Sequence, residues 1–232
     1  MCGICGLVDL RPSAGAAERE TVRAMASALA HRGPDDEGFF FSDPGVALGH
    51  RRLSIVDVDG GHQPLTNEDH TIWVVYNGEI YNHAELRKDL EHTGHTFRTR
   101  SDTEVIVHGY ERQGADFFRR LNGIFALAVW DAPRRRLTLA RDPFGVKPLY
   151  VRADGGRIAF ASELRALRVD RSFSPRLNPH ALDAFLAFRY VPAPLTLLQG
   201  VTKLPPGHAL VADAGGVRLD PYIAPPDPPG SG

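Results

Sequence analysis

Cysteine is scarce in this 232-residue chain, whose only two cysteines, Cys2 and Cys5, lie close to its start. Two cysteines do not make the disulfide framework of a small secreted domain, so a reducing cytoplasm is the expected compartment. Their C-x-x-C spacing does not predict a metal site, because structural zinc takes four ligands and no second C-x-x-C follows. The apolar segment from Gly3 to Leu10 predicts a strand, in which residues three apart point to opposite faces. Cys2 and Cys5 should therefore neither share an ion nor easily pair, and Cys5 is expected in the core.

The sequence also lacks long apolar runs and an excess of charge of either sign. No stretch approaches the ~20 apolar residues that a membrane span needs. Asp9 and Arg11 interrupt the start of the chain, which is not typical of a signal peptide. The formal net charge is −1, which argues against a nucleic-acid surface or a polybasic membrane patch. Neither a nucleic acid nor a membrane is therefore an expected partner.

What the chain does contain is many short, hairpin-type strands together with several amphipathic helices. Because helices and strands come in blocks, an α+β sandwich of stacked antiparallel sheets is favoured over a doubly wound fold. The length allows one large domain or two small ones. We expect a folded domain over 2–222 and a disordered, Pro- and Gly-rich tail over 223–232.

Two polar positions lie where predicted elements end or begin. The predicted strand Thr71–Tyr76 ends at Asn77-Gly78, a pair that usually forms a hairpin turn, although the next segment does not clearly pair back. A predicted capping box that begins at Ser101 puts Asp102 at the first helical position. The helix dipole alone favours an acid there, so these residues by themselves leave a structural and a functional interpretation open.

A cysteine directly after the initiator methionine can carry a nucleophile and a base on one residue. Once Met1 is removed, Cys2 has a thiol and a free α-amine, and such an amine has a reference pKa of about 7.7–8, near the working pH. Removal of Met1 is sterically plausible because the Cys2 side chain is small. No separate triad partner is then required. Taken alone, the position could be an accident of translation, so this interpretation depends on the rest of the chain.

Six short motifs follow one another in order along the chain and together resemble the class II glutamine amidotransferase domain of the N-terminal-nucleophile hydrolases. The resemblance runs from Cys2 to about Tyr222. Within that class, the second and third motifs resemble glutamine-hydrolysing asparagine synthetase more than other branches. The motifs are Cys2-Gly3-Ile4-Cys5-Gly6, His31-Arg32-Gly33-Pro34-Asp35, Arg52-Leu53-Ser54-Ile55-Val56-Asp57, Asn77-Gly78-Glu79-Ile80-Tyr81-Asn82, Ser101-Asp102-Thr103-Glu104 and Arg141-Asp142-Pro143-Phe144-Gly145.

The resemblance implies a four-layer αββα sandwich and the hydrolysis of glutamine to glutamate and ammonia. It implies that the Cys2 thiolate attacks the side-chain amide while the Cys2 α-amine moves the proton. The side-chain amide of Asn77 and the N–H of Gly78 would form the oxyanion hole. The other residues implied to bind glutamine are Arg52 at the α-carboxylate, Asp102 at the α-ammonium, and the backbones of Ile55, Val56 and Glu79.

These roles are also chemically reasonable without the resemblance. Free glutamine is a zwitterion, so its recognition needs one fixed cation and one fixed anion. Arg52 offers a planar fork that matches a carboxylate bidentately, and Asp102 at a helix start would offer the anion on a rigid support. An Asn77-Gly78 pair can present a side-chain amide and an unobstructed backbone N–H to one oxygen.

One departure from asparagine synthetases concerns the ATP-using domain, whose Ser-Gly-Gly-x-Asp-Ser loop is absent, as is any other Gly-rich phosphate loop. No cofactor is expected in this domain, and ATP and Mg²⁺ are expected only for the missing synthetase domain. The expected partners are L-glutamine and a synthetase domain or subunit that accepts ammonia, and a homodimer stays open. The acceptor also stays open, because relatives that form other amides or β-lactams share this front half. Rival interpretations are a non-catalytic regulatory domain and a C-x-x-C redox module.

Overall fold

The computed structural model of the chain describes residues 1–11, 19–54 and 60–223, and within them two antiparallel sheets are stacked. The first sheet runs, in spatial order, β10 (Thr202–Lys203), β8 (Tyr150–Asp154), β9 (Arg157–Ala161), β1 (Gly3–Asp9), β3 (Val46–Arg52) and β2 (Asp36–Ser42). The second runs β12 (Gly216–Pro221), β11 (His208–Asp213), β7 (Arg136–Arg141), β6 (Gly123–Asp131), β5 (Ile72–Ile80) and β4 (Leu65–Thr66).

The helices flank these sheets. They are α1 (Arg19–Ala28), α2 (His83–His92), α3 (Asp102–Gln113), α4 (Leu164–Leu167) and α5 (Pro179–Phe188), and a 3₁₀ helix spans Gly114–Arg120. None of the helices in the described ranges is long and apolar enough to cross a membrane. Of the predicted disordered tail, only Ile223 belongs to the described residues, and the rest lies outside them.

Three apolar clusters show that the chain forms four layers. One cluster lies between the first sheet and α1 and α4, and includes Cys5, Leu7 and Met25. A second lies between the two sheets, and a third joins the second sheet to α2 and α3. Burial of apolar surface on both faces of each sheet is the main stabilising contribution in such a fold. The predicted αββα sandwich is confirmed.

Strand β1 lies inside the first sheet, paired with β3 on one side and β9 on the other. Its side chains alternate, so Ile4 and Val8 enter the cluster between the sheets while Cys5 and Leu7 pack under α1. The Cys5 Sγ lies 3.7 Å from the Gly49 carbonyl oxygen, and burial raises the pKa of its thiol. Cys5 is thus an unreactive core residue on the face opposite to Cys2, as the strand periodicity predicts.

Helix α1 ends at Ala28, although the apolar stripe of Val22, Met25, Ala26 and Leu29 predicts a helix that continues to His31. After Ala28 the chain continues in tight turns, in which the N–H of Arg32 donates to the Leu29 carbonyl at 2.9 Å. The turns bring the side chain of Arg32 to the start of β1, where it hydrogen-bonds the Cys2 carbonyl. This long-range contact holds the segment after α1 against the start of β1.

The prediction that the central strand ends at Tyr76 is wrong, because β5 continues to Ile80. Asn77 and Gly78 pair with Ala126 and Phe125 of β6 rather than forming a hairpin turn. A Cβ atom on Gly78 would lie 2.3 Å from the carbonyl oxygen of Ile124, so only glycine permits this close pairing. The glycine of this Asn-Gly pair allows close packing between β5 and β6. Because Asn-Gly is more common in turns, the sequence alone does not indicate this role.

Candidate active site

The thiol of Cys2 lies at the end of the first sheet, directly before β1. Its Sγ accepts from the Leu53 N–H at 3.4 Å and lies 3.7 Å from the Leu53 carbonyl oxygen. Leu53 follows the last residue of β3, so the neighbouring strand places these groups beside the sulfur. By strand alternation with Ile4, the Cys2 side chain points toward the second sheet.

Arg32 fixes the backbone at Cys2. Its Nε donates to the Cys2 carbonyl oxygen at 2.9 Å, and its Nη1 donates to Oε1 of Glu163 at 3.0 Å. His31 contacts the same carboxylate oxygen at 2.9 Å. Two residues further on, the N–H of Ile4 donates to the Ser162 hydroxyl at 3.0 Å. The start of β1 is thus held on both sides, which restricts where the thiol can move.

Asn77 faces the same gap between the sheets. Two residues before it on β5, Val75 packs in the cluster between the sheets, so the side chain of Asn77 points the same way. Asn77 is 2% exposed, and its Nδ2 has no hydrogen-bond partner among the described residues. Burying a donor without a partner costs about 1–3 kcal/mol of folding free energy. This donor is therefore available for an acceptor on a bound ligand.

The N–H of Gly78 points to an open edge of β5. Backbone groups alternate between the two sides of a strand, and the flanking N–H groups show which side this is. The N–H of Tyr76 donates to Oε1 of Gln63 at 2.7 Å, and the N–H of Ile80 donates to Oδ2 of Asp102 at 2.9 Å. Gly78 lies between them, beyond the short strand β4, and therefore directs its N–H into the cavity that it lines.

Two charged side chains line this cavity. Arg52 is the last residue of β3 and is 6% exposed, and Asp102 is the first residue of α3 and is 8% exposed. Oδ2 of Asp102 accepts from the Tyr76 hydroxyl at 2.7 Å, besides the Ile80 N–H. Burial and the nearby Asp102 charge raise the pKa of Tyr76, so its hydroxyl stays a donor. Asp102 is therefore anchored across layers, more firmly than the helix dipole alone would anchor it.

The predicted capping box at Ser101 forms in part. The Ser101 side chain accepts from the Thr103 N–H at 3.2 Å, so the cap itself is present. Glu104 does not return to the backbone of Ser101 but accepts from the N–H groups of Arg98 and Thr99, at 2.8 and 2.7 Å. The helix that carries Asp102 is thus fixed by the loop ahead of it, because Glu104 binds that loop.

These groups surround one cavity of about 250 Å³, below the roughly 300–1,000 Å³ that takes drug-sized ligands. It suits a ligand of amino-acid size. The predicted residues Cys2, Arg52, Asn77, Gly78, Glu79 and Asp102 all line it, with Glu79 exposed at its mouth. Ile55 and Val56 lie outside the described residues.

Sequence reasoning missed several other residues of the wall, which are Met1, Leu53, Gln63, Tyr76, Ser101, Thr103 and Lys147. Gln63 connects α3 to β5 beside the cavity. Its Nε2 donates to the Thr103 hydroxyl at 3.3 Å, and its Oε1 accepts from the N–H of Tyr76. Lys147 arrives on the turn after β7, where its Nζ lies 3.5 Å from the Met1 sulfur. Met1, Leu53, Tyr76, Ser101 and Thr103 each adjoin a predicted site residue in the sequence, whereas Gln63 and Lys147 come from segments that carry no such signal.

Comparisons with known proteins agree with one another on the family of this chain. A family model described as "Glutamine amidotransferase domain" matches residues 1–223. The chain is 43% identical over 208 residues to asparagine synthetase [glutamine-hydrolyzing] 1 of Bacillus subtilis, which covers 89% of this chain and 33% of that protein. It is 34% identical over 235 residues to putative asparagine synthetase [glutamine-hydrolyzing] 2 of Methanocaldococcus jannaschii, covering 92% and 44%. The chain thus spans a third to under half of the length of these relatives.

Solved structures show the same fold. The glutamine phosphoribosylpyrophosphate amidotransferase of B. subtilis aligns with a TM-score of 0.66 at 21% identity, covering 97% of this chain and 50% of that one. A structure described as the allosteric regulatory enzyme of purine biosynthesis aligns with a TM-score of 0.70 at 21% identity and the same coverage. Identity at this level supports the architecture and nothing finer.

Proposed function

The chain belongs to the class II glutamine amidotransferase domain family, of the kind found in asparagine-synthetase-like enzymes, and from this premise we propose that it hydrolyses L-glutamine at Cys2. The observation that carries the proposal is the buried, unpartnered Nδ2 of Asn77, which lines the same cavity as the Cys2 thiol. A donor in that state is preorganised for negative charge that develops on a substrate oxygen.

The proposed reaction proceeds through a thioester. After Met1 is removed, the Cys2 α-amine takes the thiol proton, and the thiolate attacks the side-chain amide carbon of glutamine. The carbonyl electron pair moves to the oxygen, where the Asn77 amide and the Gly78 N–H stabilise it. The tetrahedral intermediate then expels ammonia with the proton from the amine. Water, deprotonated by the same amine, cleaves the thioester and releases glutamate.

The substrate zwitterion would be held by the two charged residues of the wall. Arg52 would bind the α-carboxylate with its planar fork. Asp102 would bind the α-ammonium through the carboxylate oxygen that Tyr76 and Ile80 do not occupy, since both of these donate to Oδ2. Because the anchoring donors fix the carboxylate in place, little conformational entropy is lost when the ammonium binds.

Asp102→Asn is expected to raise KM for glutamine by about 10–100-fold, the loss of a charge-assisted contact worth roughly 1.5–3 kcal/mol. The amide oxygen can still accept from Tyr76 and Ile80, so we expect a modest fall in Tm. The measurement is kcat/KM for glutamine and for N-acetylglutamine, which lacks the ammonium. The ratio of kcat/KM for glutamine to kcat/KM for N-acetylglutamine should be smaller in the variant, because the carboxylate that N-acetylglutamine leaves unpaired is absent.

Tyr76→Phe is the matched control for this prediction. It removes one donor to Asp102 but keeps the charge, so its Tm should fall while it still prefers glutamine over N-acetylglutamine. If Asp102→Asn uses glutamine normally and only melts earlier, Asp102 is a structural anchor of α3 and does not bind substrate.

Arg32→Lys is expected to lower kcat by roughly tenfold to a hundredfold with little change in KM. Lysine carries all its donors on one nitrogen, which cannot occupy the positions of both Nε and Nη1 of Arg32. Small misplacement of a nucleophile is costly. Arg165→Lys is the control, since Arg165 pairs with the same Glu163 carboxylate at 3.3 Å but is not hydrogen-bonded to Cys2. Equal losses of kcat in the two variants would show that Glu163, rather than the Cys2 carbonyl, is what matters.

For the ammonia, we propose a synthetase domain or subunit as the acceptor site, with aspartate as the acceptor that the curated relatives favour. ATP and Mg²⁺ would act in that synthetase, and a cytoplasmic location would keep Cys2 reduced.

Helix α5 would supply a surface for the synthetase, because Phe185, Leu186 and Phe188 are 42%, 69% and 63% exposed. A synthetase of other amides or β-lactams is the alternative, and a second copy of this chain would compete for the same surface.

A glutamate and ammonia assay tests the proposal. Glutamine alone should yield equimolar glutamate and ammonia, and a synthetase domain or subunit that accepts this ammonia should convert it into asparagine when aspartate and ATP are supplied. Absence of glutamate formation by protein whose Met1 is shown to be removed would refute the proposed hydrolysis.

A further inference from the structure

A second cluster of potential ligands lies around α3, outside the Cys2 cavity. His95 lies in the loop between α2 and α3, while His108 and Glu111 lie one turn apart on α3. One ligand atom from each residue lies within 4.8 Å of the others. The proposed hydrolysis uses none of these three side chains, so the cluster needs a separate explanation.

The spacing of the three side chains suits one metal ion. Oε2 of Glu111 lies 3.4 Å from Nδ1 of His108 and 3.6 Å from Nδ1 of His95. Ligands about 2.0–2.1 Å from a tetrahedral zinc ion lie roughly 3.3–3.4 Å apart. Two edges of such a tetrahedron are thus nearly formed, and small side-chain movements complete them.

The electrostatic surroundings of His108 favour a cation. The ring is 1% exposed, and both of its nitrogens face carboxylates. Nδ1 faces Glu111, while Nε2 lies 3.7 Å from Glu104 and 3.8 Å from Glu68 and has no hydrogen-bond partner among the described residues. A neutral imidazole has one N–H and one nitrogen with a lone pair, so this lone pair must face a carboxylate. A cation at Nδ1 removes this repulsion and leaves an Nε2–H directed toward Glu104 and Glu68.

The outer contacts of Glu111 also resemble those of a metal ligand. Nδ2 of Asn67, a residue that is 1% exposed, donates to Oε1 of Glu111 at 3.1 Å. This contact orients the carboxylate and leaves Oε2 directed at the two histidines. Ligating carboxylates and histidines are characteristically held by such outer hydrogen bonds.

We propose that His95, His108 and Glu111 bind a divalent transition-metal ion, with zinc favoured and water as the fourth ligand. Two imidazoles and one carboxylate suit zinc and its late first-row neighbours rather than calcium or magnesium. The ion would join the α2–α3 loop to α3, whose first residue, Asp102, lines the Cys2 cavity. Its effect is therefore expected on the stability of this helix, independently of whether glutamine is hydrolysed.

The test is zinc titration by calorimetry, on untagged Cys2→Ala protein treated with a chelator, so that the reactive thiol does not compete. We expect one tight zinc ion per chain and a rise in Tm on addition of zinc. His95→Gln and Glu111→Gln should each weaken binding more than about tenfold, since even outer-contact changes cost 10–100-fold. His92→Gln, at an exposed histidine that ends α2, should bind zinc like the parent.

Absence of a zinc-dependent rise in Tm would overturn the proposal. So would equal zinc affinity in the His95→Gln, Glu111→Gln and His92→Gln proteins, because binding would then be distributed over surface histidines. Either result would show that these three side chains form a group of ion-pair contacts rather than a metal site.

Discussion

Replacement of Cys2 by alanine is expected to lower glutamine turnover by on the order of 10⁴-fold or more while glutamine still binds. The substitution removes the attacking sulfur but leaves Arg52, Asn77 and Asp102, which line the rest of the cavity. Calorimetry with glutamine should therefore give an affinity close to the KM of the parent. The rate is measured as glutamate release.

Two controls accompany the Cys2 variant. Cys5→Ala should keep most of the activity and lose some stability, because Cys5 is fully buried under α1 and its thiol does not reach the cavity. A protein with an N-terminal extension that prevents Met1 removal should be as inactive as Cys2→Ala, because it lacks the free amine. Full turnover in the extended protein would refute the role of the amine, and loss of turnover in Cys5→Ala would favour a C-x-x-C redox mechanism.

Asn77→Ala is expected to lower kcat by about 10²–10³-fold, or roughly 2.7–4 kcal/mol of transition-state stabilisation, with little change in KM. Nδ2 of Asn77 has no partner among the described residues, so its removal breaks no hydrogen bond of the free protein. The donor acts instead on charge that appears on the substrate oxygen during the attack. Steady-state kinetics of variant and parent measure the effect.

Asn67→Ala is the matched control, because Asn67 is equally buried but fully engaged in the fold. Its side chain accepts from the N–H of Ile72 at 3.0 Å and donates to Thr71 and Glu111. We expect this variant to melt earlier while keeping kcat. A rise in KM without a fall in kcat for Asn77→Ala would show that Asn77 binds the ground state rather than the oxyanion.

Strand alternation and helix amphipathicity are local patterns, and they allowed an α+β sandwich of stacked antiparallel sheets to be predicted, whereas the four αββα layers were implied by the family resemblance. The sequence also correctly separated Cys5 from Cys2, since three residues along a strand reverse the face. The end of β5 was missed because Asn77-Gly78 is typical of a turn, whereas here Gly78 packs against Ile124 across the sheet. That contact between distant residues leaves no local signal in the chain.

The anchoring of the site was also beyond sequence reasoning. Asp102 is bound by Tyr76 and Ile80, and Cys2 by Arg32. Each of these contacts joins separate layers or elements, so no periodicity encodes it. The charged and nucleophilic residues could be named from their motifs, but the hydrogen bonds that position them required the three-dimensional structure.

The central claim is that Cys2 is acylated by glutamine, and mass spectrometry of acid-quenched protein during turnover tests it most directly. We expect an N-terminal peptide that begins at Cys2 and carries one glutamyl group, and this group should be absent from the Cys2→Ala protein. Steady glutamate production with an unmodified Cys2 peptide at every quench time, or with Met1 still attached, would contradict the account.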